Sequence, residues 1–470
     1  MSFTEAAITP KHMVRSGLCI GCGACASVDP GLDMQLDRYG QFHPAGMASA
    51  PIARLCPFSP VASNEDQIGA ALFPAATHVD NRICRYEAAY FGYAADSGFR
   101  DEGSSGGLTN WMACELLRLD MVDGVVHVGP GRTDRGEPLF GYRISRTAEQ
   151  VRARAKSRYF PVELSQVLEE IRATPGRYAV VGIPCFIKAV HLLRASDPTF
   201  AERIVYTLGL FCGHMKSAGF AASLAGQLGY ELGEVSHFEF RRKDASRPAN
   251  WYRAEAEGPG GETRAEDWWH MVDGDWGAGF FQNAACDYCD DVVAELADIS
   301  FGDAWIDPYQ ADGRGTNVMI VRNKVLQQLV VQARAEARIV LDDTDADGVV
   351  ATQAAGFRQR REGLAYRLAS RGHRGIIPIK RVVPRTTGIS LRRKAIYNMR
   401  QGISRWSHRV FWLGKRINAL GLYRGWANVS LRLYQALAYS RGPVGNLLDR
   451  LLGPDTKKAE IATTRRPTAS

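Results

Sequence analysis

The apolar positions of this chain change period along its length, and the changes outline a fold. Leu108, Trp111, Met112, Leu116 and Leu117 recur at helical spacing behind Gly103-Ser104-Ser105-Gly106-Gly107, which predicts a glycine-rich loop feeding a helix. Gly124 to Val128 is a short β-branched run and reads as a strand, with Gly129-Pro130-Gly131 as the turn after it. Tyr178 to Gly182 and Ile204 to Leu210 are apolar runs of the kind buried in a sheet, each ending close to a cysteine, Cys185 and Cys212. Near the other end, Ile396, Met399, Ile403, Trp406, Val410, Leu413, Ile417 and Leu420 recur at steps of three and four. Arg393, Lys394, Arg400, Arg405, Arg409, Lys415 and Arg416 lie between them, so this stretch predicts an amphipathic basic helix.

These elements describe an α/β (α+β) chain. A small ferredoxin-like head over residues 1–75, with Asp37-Arg38-Tyr39-Gly40 as a turn, precedes a larger α/β body over 85–345, divided near residue 180. A helical basic tail follows over 385–453, and residues 454–470 read as a disordered end. No apolar run reaches spanning length, and the first ten residues have neither a charged nor an apolar leader region, so neither a transmembrane helix nor a signal peptide is expected. Ten cysteines in 470 residues are too sparse for a disulfide scaffold, which points to a reducing compartment, the cytoplasm.

Charge is distributed unevenly. From Arg371 to Ser470 there are 21 Lys and Arg against three acids, whereas the preceding residues carry 37 bases against 47 acids. Three partners suit the basic tail: the enzyme body or a second copy of the chain, an anionic membrane surface that would make the protein peripheral at the inner face, and nucleic acid. No nucleic-acid-binding motif accompanies the charge, so a nucleic-acid partner is not expected.

The chemistry sits on cysteines. Cys19, Cys22 and Cys25 put three thiolates on one tight loop, and Cys56, followed by Pro57, supplies a fourth, which is the ligand arithmetic of a [4Fe–4S] cluster. Zinc has no use for a third thiol at equal spacing. Cys185, Cys212, Cys286 and Cys289 are a second set of four; on spacing alone they fit an iron–sulfur cluster, a zinc site or ordinary buried packing. Cys84 and Cys114 read as packing residues. The Ser104–Gly107 loop can hold a phosphate on its free N–H groups, or serve only as a helix cap. No GxGxxG follows a strand, so a Rossmann NAD site has no support.

The runs GLCIGCGACAS, LCPFSP, SSGGLTNWMACELLRLDMVDGVVHV, AKSRYFPVEL, VVGIPCFIKAVHLLR, GLFCGHMKS and CDYCDDVVAELADISFGDAW resemble the coenzyme F-420 hydrogenase/dehydrogenase beta-subunit family, over about residues 15 to 325 and in order. The resemblance implies a cytoplasmic iron–sulfur flavoprotein oxidoreductase with two [4Fe–4S] clusters and FAD. It assigns the second cluster to Cys185, Cys212, Cys286 and Cys289. The family's flavin loop falls on Ser104, Ser105, Gly106 and Gly107, and its basic-aromatic motif on Lys156, Ser157, Arg158 and Tyr159. Ferredoxin or a similar redox protein would be the donor and an organic molecule the acceptor, with Lys156, Arg158 or His214 as candidate proton donors. Family members act on deazaflavin, on chlorophyll-type rings and, in bacterial exopolysaccharide gene sets, on other substrates. A non-catalytic subunit relaying electrons to a partner enzyme is the rival expectation. The N-terminal head and the long basic tail set this chain apart from the hydrogenase-type members.

Overall fold

The computed structural model describes residues 8–49, 52–96, 98–131, 136–372 and 376–453. The expected disordered end over 454–470 lies outside the described residues, as does the extreme start of the chain.

An eight-stranded mixed sheet forms the body. Four strands run parallel through its middle in the order Gly124–Pro130, Tyr178–Gly182, Ile204–Leu210, Ile299–Asp303. Antiparallel strands extend it on both sides: Phe140–Ser145 beyond the first, and Asn317–Val321, Ala88–Ala94 and Ile339–Thr344 beyond the last. The parallel strands are the β-branched and apolar runs of the sequence, and Tyr178–Gly182 is buried throughout. Parallel strands place their carboxyl ends together, which is where Cys185 and Cys212 emerge.

Gly129 and Pro130, expected in a turn, are instead the last residues of their strand and pair with Gly141 and Phe140. Proline is tolerated there because it closes the strand, where its missing N–H costs little. A separate three-stranded sheet, His237–Arg242, Arg253–Glu257 and Thr263–Asp267, was not legible in the apolar pattern; its middle strand alternates Arg, Ala, Glu, Ala, Glu, with alanines as the buried positions.

The head carries the expected turn. Leu32–Leu36 pairs with Phe42–Gly46, and the Asp37 carboxylate accepts from the N–H groups of Tyr39 and Gln41 at 2.8 and 3.0 Å. Head, body and tail share one core: Leu18, Ile20 and Phe58 belong to the same buried cluster as Val180, Phe186, Phe281, Phe411 and Tyr423.

The tail departs from a single amphipathic helix. Leu391–Arg416 is one long helix, Asn418 takes a left-handed conformation (φ 53°), and Leu420–Tyr439 starts a second, followed by Gly442–Leu452. Leu420, expected on the first helix, therefore opens the next. The predicted apolar seam also divides. Ile396 and Ile403 face the core, while Trp406, Leu413 and Ile417 point to solvent. Phe411, between arginines and outside that seam, is buried against Phe281 with ring centroids 5.3 Å apart. The Phe281 N–H donates to the Ser407 hydroxyl at 2.8 Å. The tail is thus packed on the body, and burying Phe281, Phe411 and Tyr423 contributes roughly 1.5–3 kcal/mol each. Among the described residues no helix is long and apolar enough to cross a membrane.

Candidate functional site

The Cys19–Cys25 loop follows the short helix Pro10–Arg15 and turns through Gly21 and Gly23, both at positive φ (73° and 82°). A Cβ on Gly21 would meet the Phe42 carbonyl oxygen at 2.5 Å, and one on Gly23 would meet the Ser165 backbone nitrogen at 2.8 Å. Here glycine is required by fit as well as by conformation. Cys56 arrives from a turn in which its N–H donates to the Ile52 carbonyl at 3.2 Å. Cys19, Cys22, Cys25 and Cys56 line a common cavity with Ile20 and Leu55. Burial, and next the charge of Cys56, push the Cys25 thiol up to about 12; Cys19 is raised by the same two causes. Such thiols stay protonated unless a metal centre discharges them.

The second set of cysteines comes from three segments of the body. Cys185 lies in the first turn of the helix Pro184–Ser196, directly after its strand. The Cys212 N–H donates to the Val292 carbonyl at 2.9 Å, which folds its loop toward the segment carrying Cys286 and Cys289. Burial raises Cys185 most, followed by the charges of Cys289, Cys212, Cys286 and then Cys22. Burial raises Tyr142, with the charges of Cys185 and then Cys22 adding to it, and all three residues belong to one packed cluster. The Met215 N–H reaches the Cys286 sulfur at 3.3 Å, the kind of contact that tunes a cluster potential.

Among the described residues, the ligand atoms of Asp66, Cys84 and Glu295 all lie within 4.8 Å of one another. The Asp66, Cys84 and Glu295 group already holds a cation, because Arg381 donates to Asp66 at 2.9 Å and to Glu295 at 2.6 Å. Cys84 and Cys114 are buried, as expected of packing residues.

The Ser104–Gly107 loop leads into the helix Leu108–Arg118. The Ser157 N–H donates to the Ser104 hydroxyl at 2.8 Å, joining the two motifs assigned to flavin. Gly106 and Gly107 pack against the chain itself: a Cβ on Gly106 would meet Asn317 at 2.8 Å, and Gly107 has φ 83°. Lys156 pairs with Glu239 at 2.9 Å. Arg158 turns inward, its guanidinium 4.7 Å over the Phe140 ring, and burial pushes it down to about 10. Tyr159 is enclosed by Phe240, Trp268 and Trp276. His214, two residues after Cys212, is stacked at 4.2 Å on Trp276, the ring that also packs on Tyr159; burial and then the charge of Lys216 push it well down.

A pocket opens beside Ser104, lined by Arg241 and Arg242 at the end of a strand of the small sheet and by Lys243, Asp244, Trp251 and Tyr252 from the loop that follows it. Arg241 forms a two-bond pair with Asp303, both at 3.0 Å. Lys243 donates to the Ser105 carbonyl at 2.8 Å, and burial, then the charges of Lys156, Arg241 and Arg100, push it down to about 7. This donor set suits an anionic ligand such as a flavin pyrophosphate. Sequence reasoning missed Arg241, Lys243 and Tyr252 because they follow no motif. The only signal was the run Arg241-Arg242-Lys243 itself.

Two family models match the chain. Residues 89–169 match the coenzyme F420 hydrogenase/dehydrogenase beta subunit N-terminal model, and residues 176–347 match its C-terminal counterpart, together more than half of the chain. The chain belongs to the coenzyme F420 hydrogenase/dehydrogenase beta-subunit family. This family is one of iron–sulfur flavoprotein oxidoreductase subunits in electron transfer. Its domains contain the Ser104 loop and the second quartet; the first quartet lies before them and the three tail helices after them. No curated protein matches the chain. Among solved structures, a chain of the F420-reducing [NiFe] hydrogenase complex from Methanosarcina barkeri, in a xenon-derivatisation study, is similar at 18% identity and a TM-score of 0.48, over 64% of this chain and 98% of that one.

Proposed function

We propose that this protein is an iron–sulfur flavoprotein oxidoreductase in which Cys19, Cys22, Cys25 and Cys56 hold one [4Fe–4S] cluster, Cys185, Cys212, Cys286 and Cys289 hold another, and the Ser104 pocket holds FAD. The observation that carries the reading is that Cys19, Cys22 and Cys25 from one loop and Cys56 from a remote turn line one cavity. When bound, the clusters supply one-electron transfer and the flavin couples it to two-electron chemistry. Ferredoxin or a similar redox protein is the donor that suits the head, and an organic acceptor, including a substrate of exopolysaccharide assembly, suits a pocket lined by Trp251 and Tyr252.

Within that pocket the residues have distinct tasks. Arg241, fixed by Asp303, and Lys156, held by Glu239, keep positive charge near the loop where phosphate would bind. Lys243 can hold or release a proton at Nζ near neutral pH, because its crowded cationic surroundings bring it to about 7. That makes it a better proton donor than Arg158 or His214, which face the protein interior. Anaerobic purification with iron, sulfide and flavin analysis tests the reading, followed by stopped-flow reduction of the flavin with reduced ferredoxin. A colourless protein with stoichiometric zinc would refute it. Flavin reduction without turnover of any small acceptor would favour a relay subunit.

The outward face of the tail suits an anionic bilayer. Trp406 and Leu413 are exposed on the helix Leu391–Arg416, and Ile417 just past its end, beside exposed Arg409, Lys415 and Arg416.

A further inference from the structure

We propose that two buried cations from the segment that follows the family domains, Arg360 and Lys380, raise the reduction potentials of the clusters and thereby set the driving force between them. The inference rests on the reading of both quartets as [4Fe–4S] sites.

An electron added to a buried cluster places negative charge where the dielectric is low, so a fixed cation nearby favours the reduced form. Arg360 lies in the helix Ala354–Arg360, beyond the end of the family match at residue 347. Its guanidinium is tied to the loops that carry the second quartet: Nε donates to the Asp291 carbonyl at 2.9 Å and Nη2 to the Gly213 carbonyl at 2.8 Å. Gly213 is next to Cys212, and the Asp291 carbonyl also accepts from the Cys289 sulfur at 3.4 Å.

Lys380 contacts a residue close in sequence to one cysteine of each quartet. Its ammonium lies 4.8 Å over the ring of Phe58, two residues after Cys56, and pairs at 3.2 Å with Asp290, the residue after Cys289. Burial opposes its charge, while Asp290, Glu65 and then Cys289 sustain it. Carboxylates of Glu65, Asp290 and Glu295 pair with Lys188, Lys380 and Arg381 in the same network. Lys380 therefore acts on both quartets and Arg360 on the second alone. Both are positioning residues: neither touches the acceptor.

The test uses the full chain, purified anaerobically, with iron content measured before EPR-monitored redox titration. Arg360→Gln is expected to lower the potential of the second cluster only, and Lys380→Gln that of both. Each shift should correspond to at least a tenfold loss in electron affinity, about 59 mV for a one-electron couple. Arg360→Lys and Lys380→Arg, which keep the charge, should stay near the wild-type values. Unmoved potentials at full iron content, or equal shifts in the neutral and charge-retaining variants, would overturn the proposal. Loss of iron in the Gln variants would likewise overturn it in favour of a structural role. Wild-type protein without iron would instead defeat the cluster reading.

Discussion

The backbone N–H of Leu164 donates to the carbonyl of Cys22 at 2.9 Å, tying the cysteine loop of the head to the body beside the helix Ser165–Ala173. Gly23 sits at this junction, and a Cβ there would run into Ser165 as well as adopt an unfavourable φ. Gly23→Ala should destabilise the protein by at least about 1–2 kcal/mol from the backbone conformation alone. Thermal unfolding would show it as a lower Tm, accompanied by loss of iron from the first quartet.

Two cubane sites predict about eight iron and eight sulfide per chain. Cys56→Ser should remove about half of that iron and leave flavin bound, because the Ser104 pocket has no residue from the head. Cys286→Ser should remove the other half and slow flavin reduction by ferredoxin. Metal analysis and absorbance spectra distinguish the outcomes, and normal flavin reduction in Cys286→Ser would take the second quartet off the electron path.

Lys243 gives the anion pocket a pH dependence. An anion beside Nζ favours the ammonium form, so binding takes up a proton, and affinity for FAD or inorganic pyrophosphate should fall as pH rises through about 7. Lys243→Met should flatten that profile in isothermal titration calorimetry. The sign for stability is opposite. An unfolded lysine keeps its proton to about 10.4, so between about 7 and 10.4 the unfolded chain binds more protons and this group makes stability rise with pH.

The tail has two faces with separable consequences. Deleting residues from 391 onward removes Phe411 and Tyr423 from Phe281 and should give insoluble protein, since several buried aromatic contacts are lost at once. Changing only the outward residues, as in Trp406→Ser with Leu413→Ser, should leave the unfolding free energy within about 1 kcal/mol of wild type by the usual size of surface effects. That variant should bind anionic vesicles more weakly than wild type in a co-sedimentation assay, and added salt should weaken wild-type binding. Equal sedimentation of both at low salt would rule out a membrane role for this face.

The sequence by itself determined the elements whose signal is local. Cys19, Cys22 and Cys25 are confined to one loop by their spacing, so their convergence needed no fold. The buried strands Tyr178–Gly182 and Ile204–Leu210 were legible because a strand covered on both faces is apolar without interruption. The resemblance of the motifs to a family, rather than the spacing, grouped Cys185 and Cys212 with Cys286 and Cys289. What only the tertiary structure decided were relationships between remote segments. It brought Lys243 to Ser105 across 138 positions and Lys380 to Asp290 across 90, and neither pair leaves a local pattern. It also turned one stripe of the tail inward and left Trp406 outside. Periodicity fixes which residues share a helix face, but which stripe is buried depends on the surface that the helix meets. Burial of the cations behind the quartets is likewise a property of the packed core, because an isolated Arg360 or Lys380 reads as an ordinary solvated charge until carboxylates and thiols from elsewhere enclose it.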